Sequence, residues 1–584
     1  MAIYRHDQAQ LTFASEFAPG GYVEMASAVS DGTGTAVINM SSGLAAGSTA
    51  VTVDALSDVT AGEFIQIGPE VSGSGTAAES EVRKVEYVDG TTTLYLDAPT
   101  AFFHPDNTNI QVVTAVTDTD ADKYITFIPG LYESVDAPDP EMAIEPRYFL
   151  GTESKRNFYS AYKGQQTFTG SIGNFILLDG KSLRFPIGRV NSATAFVNTA
   201  GSTDPTYGMV INQTDNVKKG DLFVTVDTAY ASVPTGAFLF FTGSKTAAAE
   251  NDSTAFTTGS VSFSAPNSRQ EIRKQVGTAS ATELKLDYPL QFDHSDNEYI
   301  YVVTTTDGGT TVATSQTIPY THTITETVDL DSISWNLKMK DSGETAANDL
   351  DRRYYGGKIG SASLNAEEGG MVTMSWDGVP FLGMVHNQTN HTAYGSSNFP
   401  FAGLTQSIDA DNVDFPTTEP YYFSQGQITM FGQTIARVKS FNLSINNNTT
   451  PNYYISRQMG RKRGPKEIRE QQREYGLEVV LALPDSAASD AAAATLFQEL
   501  LLEGDYGSGM TGFSMSIRFD RGTNDSIVIT IPDDGTAATG GNQQGAFLKT
   551  APHAVGSESP VEVSASILFR NLKIVVSDSE YLYP

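Results

Sequence analysis

Residues 81–114 read EVRKVEYVDGTTTLYLDAPTAFFHPDNTNIQVVT, and residues 271–304 read EIRKQVGTASATELKLDYPLQFDHSDNEYIYVVT. At a constant offset of 190 they align without a gap, with 16 identities in 34 positions. The shared residues include Arg83/Arg273, Leu94/Leu284, Asp97/Asp287, Pro99/Pro289, Phe102/Phe292 and His104/His294. The likeness extends upstream, where GSTAVTVD (47–54) faces GDLFVTVD (220–227) and AGEFIQIG (61–68) faces TGAFLFFTG (235–243). Each copy alternates apolar and polar residues between Gly, Asp and Pro, the period-two pattern of strands joined by turns. A chain that carries one pattern twice is expected to build one structure twice. The repeat predicts two small β-barrel or β-sandwich modules, near 47–115 and 216–305, the second with a longer polar loop at 244–270. Two copies are too few for a solenoid, so they read as side domains inserted into a larger body.

The remaining chain is also strand-like. Ile333, Trp335, Leu337 and Met339 alternate with Ser334, Asn336, Lys338 and Lys340; Phe441, Leu443 and Ile445 alternate with Asn442 and Ser444. Phe513–Phe519 and Val561–Phe569 repeat the pattern. One apolar and one polar face predict antiparallel sheets with a core side and a wet side. One helix is expected, at about 486–503, where Leu496, Phe497, Leu500 and Leu501 share a face, Ser486 or Ser489 suits the start and Gly504 the end. With 40% hydrophobic and 10% aromatic residues in 584, the chain has enough apolar material for two to four packed domains. The fold class is mainly β.

Charge and cysteine usage narrow the function. The net charge is −31, which argues against general binding to DNA or anionic membranes and suits solubility or concentrated salt. There is no cysteine, so disulfides, thiolate metal sites and a cysteine nucleophile are excluded. The start, MAIYRHDQAQLTF, lacks the basic and apolar regions of a secretory signal, and no run reaches the length of a membrane-spanning helix. A soluble product made in a cytoplasm is expected.

Catalytic patterns are missing. No nucleophile elbow, phosphate-binding loop, dinucleotide fingerprint or HExxH stands in the chain. His386 and His391 are five apart, which fits no zinc signature. Asp118, Asp120 and Asp122 imitate a calcium loop, but Lys123 replaces its glycine and Pro129 its bidentate glutamate; Asp409, Asp411 and Asp414 fail in the same way. The duplicated His104-x-Asp106-Asn107 and His294-x-Asp296-Asn297 read as turn chemistry before each module's last strand. No enzyme activity, cofactor or metal is expected. One segment stands out in charge: RQMGRKRGPKEIREQQR (457–473), with Arg457, Arg461, Lys462, Arg463, Lys466, Arg469 and Arg473 against Glu467 and Glu470. In isolation such a tract invites a phosphate-binding reading.

Several stretches together resemble the major tail tube proteins of long-tailed phages and archaeal tailed viruses. They are SEFAPGG (15–21), KRNFYSAYKGQQTFTGSIGNFI (155–176) with LRFPIG (183–188), RRYYGGKIGSASLNAEEGGMVTMSWDG (352–378) and GQITMFGQTIARVKSFNLSINNNTTP (426–451). The resemblance implies two packed antiparallel sheets, a flanking helix and a long loop, with subunits joined sheet to sheet into rings around a DNA-wide channel. It implies two tube-like units: a discontinuous one from 1–46, 116–215 and 306–419, and a second from 420–584, with a basic loop at 448–475. Two units per chain imply a trimeric ring of pseudo-sixfold symmetry, favoured here; one unit implies a hexamer. The implied partners are other copies of the chain, tail proteins at the tube ends, and DNA passing without sequence-specific binding. The implied place is the virion tail, after synthesis in the host cytoplasm. The seven basic residues then read as a connector to a neighbouring subunit or ring. The rival readings are another β-rich virion or cell-surface adhesion protein and, less favoured, a polysaccharide-active enzyme.

Overall fold

The computed structural model describes residues 4–16, 18–21, 27–55, 59–68, 81–117, 126–148, 160–194, 208–213, 217–221, 223–227, 234–243, 269–275, 282–287, 289–305, 311–314, 320–341, 350–386, 413–414, 418–430, 433–435, 438–456, 463–482, 512–522, 524–533, 545–554 and 562–578. The expected helix at 486–503 lies outside these residues, as do His391 and the aspartates at 118, 120, 122, 409 and 411. Among the described residues the fold is mainly β, built from several antiparallel sheets.

The body is a sandwich. Its strands are β1 (Tyr4–Ser15), β2 (Thr126–Phe127), β3 (Pro140–Arg147), β4 (Ser160–Ile176), β5 (Gly188–Ala193), β6 (Tyr320–Glu326), β7 (Ile333–Asp341), β8 (Leu350–Gly357), β9 (Ser361–Glu367) and β10 (Thr373–Pro380). They continue with β11 (Gly383–His386), β12 (Gly426–Met430), β13 (Gln433–Ile435), β14 (Val438–Asn446), β15 (Glu474–Ala482), β16 (Met515–Asp520), β17 (Ser526–Ile531), β18 (Ala546–Thr550), β19 (Glu562–Phe569) and β20 (Lys573–Asp578). The largest sheet runs β4-β10-β9-β14-β15-β19-β18, with β3 also paired to β4. Two smaller sheets run β11-β8-β7-β1-β2 and β5-β6-β20-β17-β16-β12-β13.

These orders contain one arrangement twice. In the first half of the chain β3-β4-β10-β9 stand in the large sheet and β11-β8-β7-β1-β2 in a smaller one. In the second half β14-β15-β19-β18 and β20-β17-β16-β12-β13 take the same places. The correspondence β1/β12, β2/β13, β3/β14, β4/β15, β7/β16, β8/β17, β9/β18, β10/β19 and β11/β20 keeps chain order throughout. Only β5 and β6 have no counterpart, and they extend the second half's small sheet by pairing β6 with β20.

The halves are joined edge to edge. β9 and β14 pair antiparallel from Ser361↔Asn446 to Glu367↔Ser440. One hydrophobic cluster runs beneath both, from Phe13, Trp335 and Trp376 in the first half to Phe441, Ile517, Phe519 and Ile574 in the second. Phe13 meets Trp335 and Trp376 edge-on at 5.4 and 5.6 Å, and Phe441 meets Phe519 at 5.7 Å, so each small sheet is locked to the large one by aromatic contacts. β14 buries Phe441, Leu443 and Ile445 while Asn442 and Ser444 stay exposed, as alternation predicts. The wet face expected for β7 is corrected: Ser334 and Asn336 are buried. Ser334 donates to Glu16, and Arg353 Nε donates to Asn336 Oδ1 at 2.8 Å, so polar groups pair there instead of meeting water. Glu16, from the SEFAPGG stretch, also accepts the N–H groups of Gly20 and Gly356 at 2.9 and 2.8 Å. Gly20 has φ +80°, and a Cβ there would meet Leu382.

The two repeats fold as closed barrels. In the first, Ser27–Val37, Asn109–Thr117, Phe64–Ile67, Glu81–Asp89, Thr93–Leu96 and Ala50–Thr52 pair in that order, and the bridge Ile38↔Val53 closes the ring. In the second, Gly208–Val210, Tyr299–Val302, Phe238–Phe241, Glu271–Lys274, Glu283–Lys285 and Phe223–Thr225 follow the same order, closed by Gln275↔Leu286 and Ile211↔Val226. Each barrel takes its first strand from upstream of 47 and 216, because closure needs a strand beside both the last and the second.

Leu364 and Leu443 face each other across the β9–β14 joint, 2% and 1% exposed. Leu364→Ala and Leu443→Ala are each expected to cost about 2–5 kcal/mol of stability. Scanning calorimetry should show the sandwich melting in one shifted transition rather than in two, since both halves share the core.

Candidate assembly surfaces

The basic stretch connects β14 to β15. Arg457, Arg461 and Lys462 lie outside the described residues. Thr450–Asn452 and Glu467–Arg469 pair antiparallel into a short ribbon, and this ribbon lies against the first half of the same chain. Gln166 on β4 donates its N–H to the carbonyl of Arg463 at 3.0 Å, and the Tyr453 hydroxyl donates to the Gln166 carbonyl at 3.3 Å. Glu470 accepts from Lys358 Nζ at 2.7 Å and from the Leu330 N–H at 3.0 Å. Ile468 is only 5% exposed.

The described basic residues are largely engaged. Arg473 donates to Asn447 Oδ1 at 2.8 Å and to the Ile187 carbonyl at 3.2 Å, and lies 3.9 Å from Glu326. Arg469 pairs with Glu467. Lys466 donates its backbone N–H to Asn452, and burial lowers its ammonium pKa against a small opposing pull from Glu86. Arg463 keeps an exposed position. Arg473 therefore ties the ribbon's base, and Lys466 and Arg469 are held within the ribbon. Sequence reasoning missed Glu470 and Asn447. Asn447 is fully buried and donates Nδ2 to the Pro186 and Ile359 carbonyls at 2.9 and 3.0 Å. The available signal was an acid standing alone among basic residues, and an asparagine at the end of an alternating strand.

The equivalent connection in the first half looks different. β3 and the start of β4 form an arm whose residues 143–147 and 161–163 are all exposed. Ile144, Tyr148 and Tyr162 are 66%, 72% and 60% exposed. Pro140 and Pro146 lie on β3, as suits a sheet edge where an N–H is dispensable. At the opposite end of the large sheet, β18 is the edge strand, with Lys549 exposed.

The duplicated His-x-Asp-Asn motif forms the expected turns. Asn107 and Asn297 both have φ 68°, and Asp106 and Asp296 accept the N–H groups of Met40 and Gln213. The histidines do more. His104 Nε2 lies 2.7 Å from Glu81, which also pairs with Arg83 at 2.7 Å, all three buried. In the second barrel His294 contacts Glu271 and Glu298 at 2.8 Å each, and Arg273 pairs with Glu271 at 2.6 Å. Both ring nitrogens of His294 face carboxylates, which only accept, so His294 donates at both as imidazolium. Burial opposes that charge, but hydrogen bonds to Glu271 and Glu298 outweigh it and raise the His294 pKa. Burial likewise works against the Glu271 carboxylate, yet Arg273 and His294 leave its pKa lowered. The position equivalent to Glu298 in the first barrel is Thr108, so only the second barrel has the double clamp.

Among the described residues no cluster of three or more His, Asp or Glu could hold a metal ion, and no helix is long and apolar enough to cross a membrane. Fold and surfaces together define an antiparallel β-sandwich of two like halves carrying two barrels. Residues 301–567 match the family model described as phage tail tube protein. That match supports a structural tail tube role. A search of curated proteins gives no match.

His294→Ala leaves Glu271 and Glu298 buried without their shared partner and should destabilise the second barrel by about 3–5 kcal/mol. The signs of the pH dependence follow from the directions of the shifts. The His294 contribution is full below the ordinary imidazole range and is lost as pH rises through its raised pKa. The Glu271 and Glu298 contributions are lost as pH falls below the ordinary carboxylate range. Denaturation measured against pH should lose its alkaline limb in His294→Ala.

Proposed function

We propose that this chain is a structural virion protein that assembles into stacked rings, forming a tail tube through which viral DNA leaves the particle. The observation that carries the reading is the tail tube match over residues 301–567, which spans the β9–β14 joint between the halves. The twice-built sandwich supports a ring of three chains with pseudo-sixfold symmetry over a ring of six. In such a ring the joint inside the chain is one of two kinds of contact between successive halves. The other lies between chains, where the β18 edge of one copy meets the β3 edge of the next. Closing a ring in this way removes the exposed strand edges that otherwise invite aggregation.

The net charge of −31 suits a conduit. An acidic channel repels phosphates, and a genome slides best where few contacts hold it. The barrels have no counterpart in the repeated sandwich and serve here as side modules of the tube. Tail proteins at the tube's ends are further partners, and the chain does its work in the virion tail after synthesis in the host cytoplasm. No catalytic activity enters this reading.

Electron microscopy of purified protein should show hollow rings or tubes, and the mass of a single ring should equal three chains. Monomers at every concentration and salt would overturn the reading; a ring mass of six chains would overturn its symmetry. Arg461, Lys462 and Arg463 changed together to Glu should block stacking while circular dichroism stays unchanged. Normal polymerisation of that variant would remove the basic segment from the assembly contacts.

A further inference from the structure

We infer that the arm made by β3 and the start of β4 is clasped by the second half of another copy of this chain. The inference rests on the tube reading for the requirement that copies meet, and on the internal repeat for where they meet. β3 and β4 hold the places in the first half that β14 and β15 hold in the second. The arm and the 450–469 ribbon are therefore the same connection, built twice with different lengths.

The two copies of that connection differ in environment. The second-half ribbon rests on the half whose β9 edge pairs with β14: it is fixed at Gln166, Leu330 and Lys358, and it buries Ile468. The first-half arm has no preceding half within the chain to rest on. In a head-to-tail assembly the preceding half is the second half of a neighbouring copy. What the ribbon does inside one chain, the arm then does between two.

The arm's chemistry fits that occupant. Ile144 pairs with Lys163 and Glu145 with Tyr162, so Ile144 and Tyr162 project from opposite faces of the ribbon. A two-stranded ribbon with apolar groups bare on both faces is marginal in water and gains from a partner on each side. Glu141 is exposed on β3 and Lys549 on the β18 edge, giving opposite charges to the two free ends of the large sheet.

The test uses the full chain with Ile144→Glu and Tyr162→Glu combined. Because both side chains are exposed, the folded monomer should keep its circular dichroism and melting temperature. The concentration needed for half-maximal ring formation should rise by more than about tenfold, as expected when central contact residues are lost. As a second measurement, unaltered protein of natural isotope content is mixed with ¹⁵N-labelled protein, assembled and treated with an amine-reactive cross-linker. Lys163 of one isotope should link to a lysine within residues 420–584 of the other. Rings of the double variant forming as readily as the unaltered protein, or Lys163 links confined to its own copy or to another copy's first half, overturn the clasp and leave the tube reading standing. Unaltered protein that never assembles overturns both.

Discussion

The ladder between β9 and β14 is the contact on which the sandwich depends. It fuses two half-sheets into one, and the hydrophobic cluster beneath is continuous only because the strands above it are. Neither half has a complete core of its own: β6, from the first half, pairs with β20, the last strand of the second. Edge pairing of this kind uses main-chain groups, so it needs little agreement in side chains between the two partners. That is why one strand order can persist in both halves while their sequences diverge.

The barrels use a different device. Each has a small apolar core, and each adds a buried Glu–Arg–His set that joins the strand at 81–89 or 271–274 to the turn before the last strand. A buried ion pair is weak evidence of net stability, but removing one partner is costly. The set therefore acts mainly to specify one pairing of strand and turn. It also places charge inside a protein whose surface already carries a large acidic excess, where a lone buried carboxylate would be the harder case.

Much of this was legible in the sequence. Period-two alternation located β14, β16 and β19, and the 190-residue offset announced the barrels, because identical residues recur where identical contacts recur. The duplication of the sandwich was legible only through the family resemblance, since its halves share topology without clear identity. The role of His104 and His294 was half legible: the turn followed from Asp and Asn, whereas the ion pairs depend on Glu81 and Glu271, 23 residues away. The basic stretch was misleading in part. Its charge is visible in the sequence, but that Arg473 reaches Asn447 and that Glu470 reaches Lys358 depends on how the ribbon folds back. The wet face expected for β7 failed because Glu16 and Arg353 come from distant segments to pair with it.

β20 lies between β6 and β17, and neither of those strands touches the other. That small sheet stays in two pieces until residues 573–578 have left the ribosome, however long the earlier strands have waited. Folding dominated by such distant pairings is slow, and it finishes late. The lateness has a use for a chain with open sheet edges. Edges competent for pairing with other copies arise only on finished molecules, so half-made chains on neighbouring ribosomes have little chance to join one another.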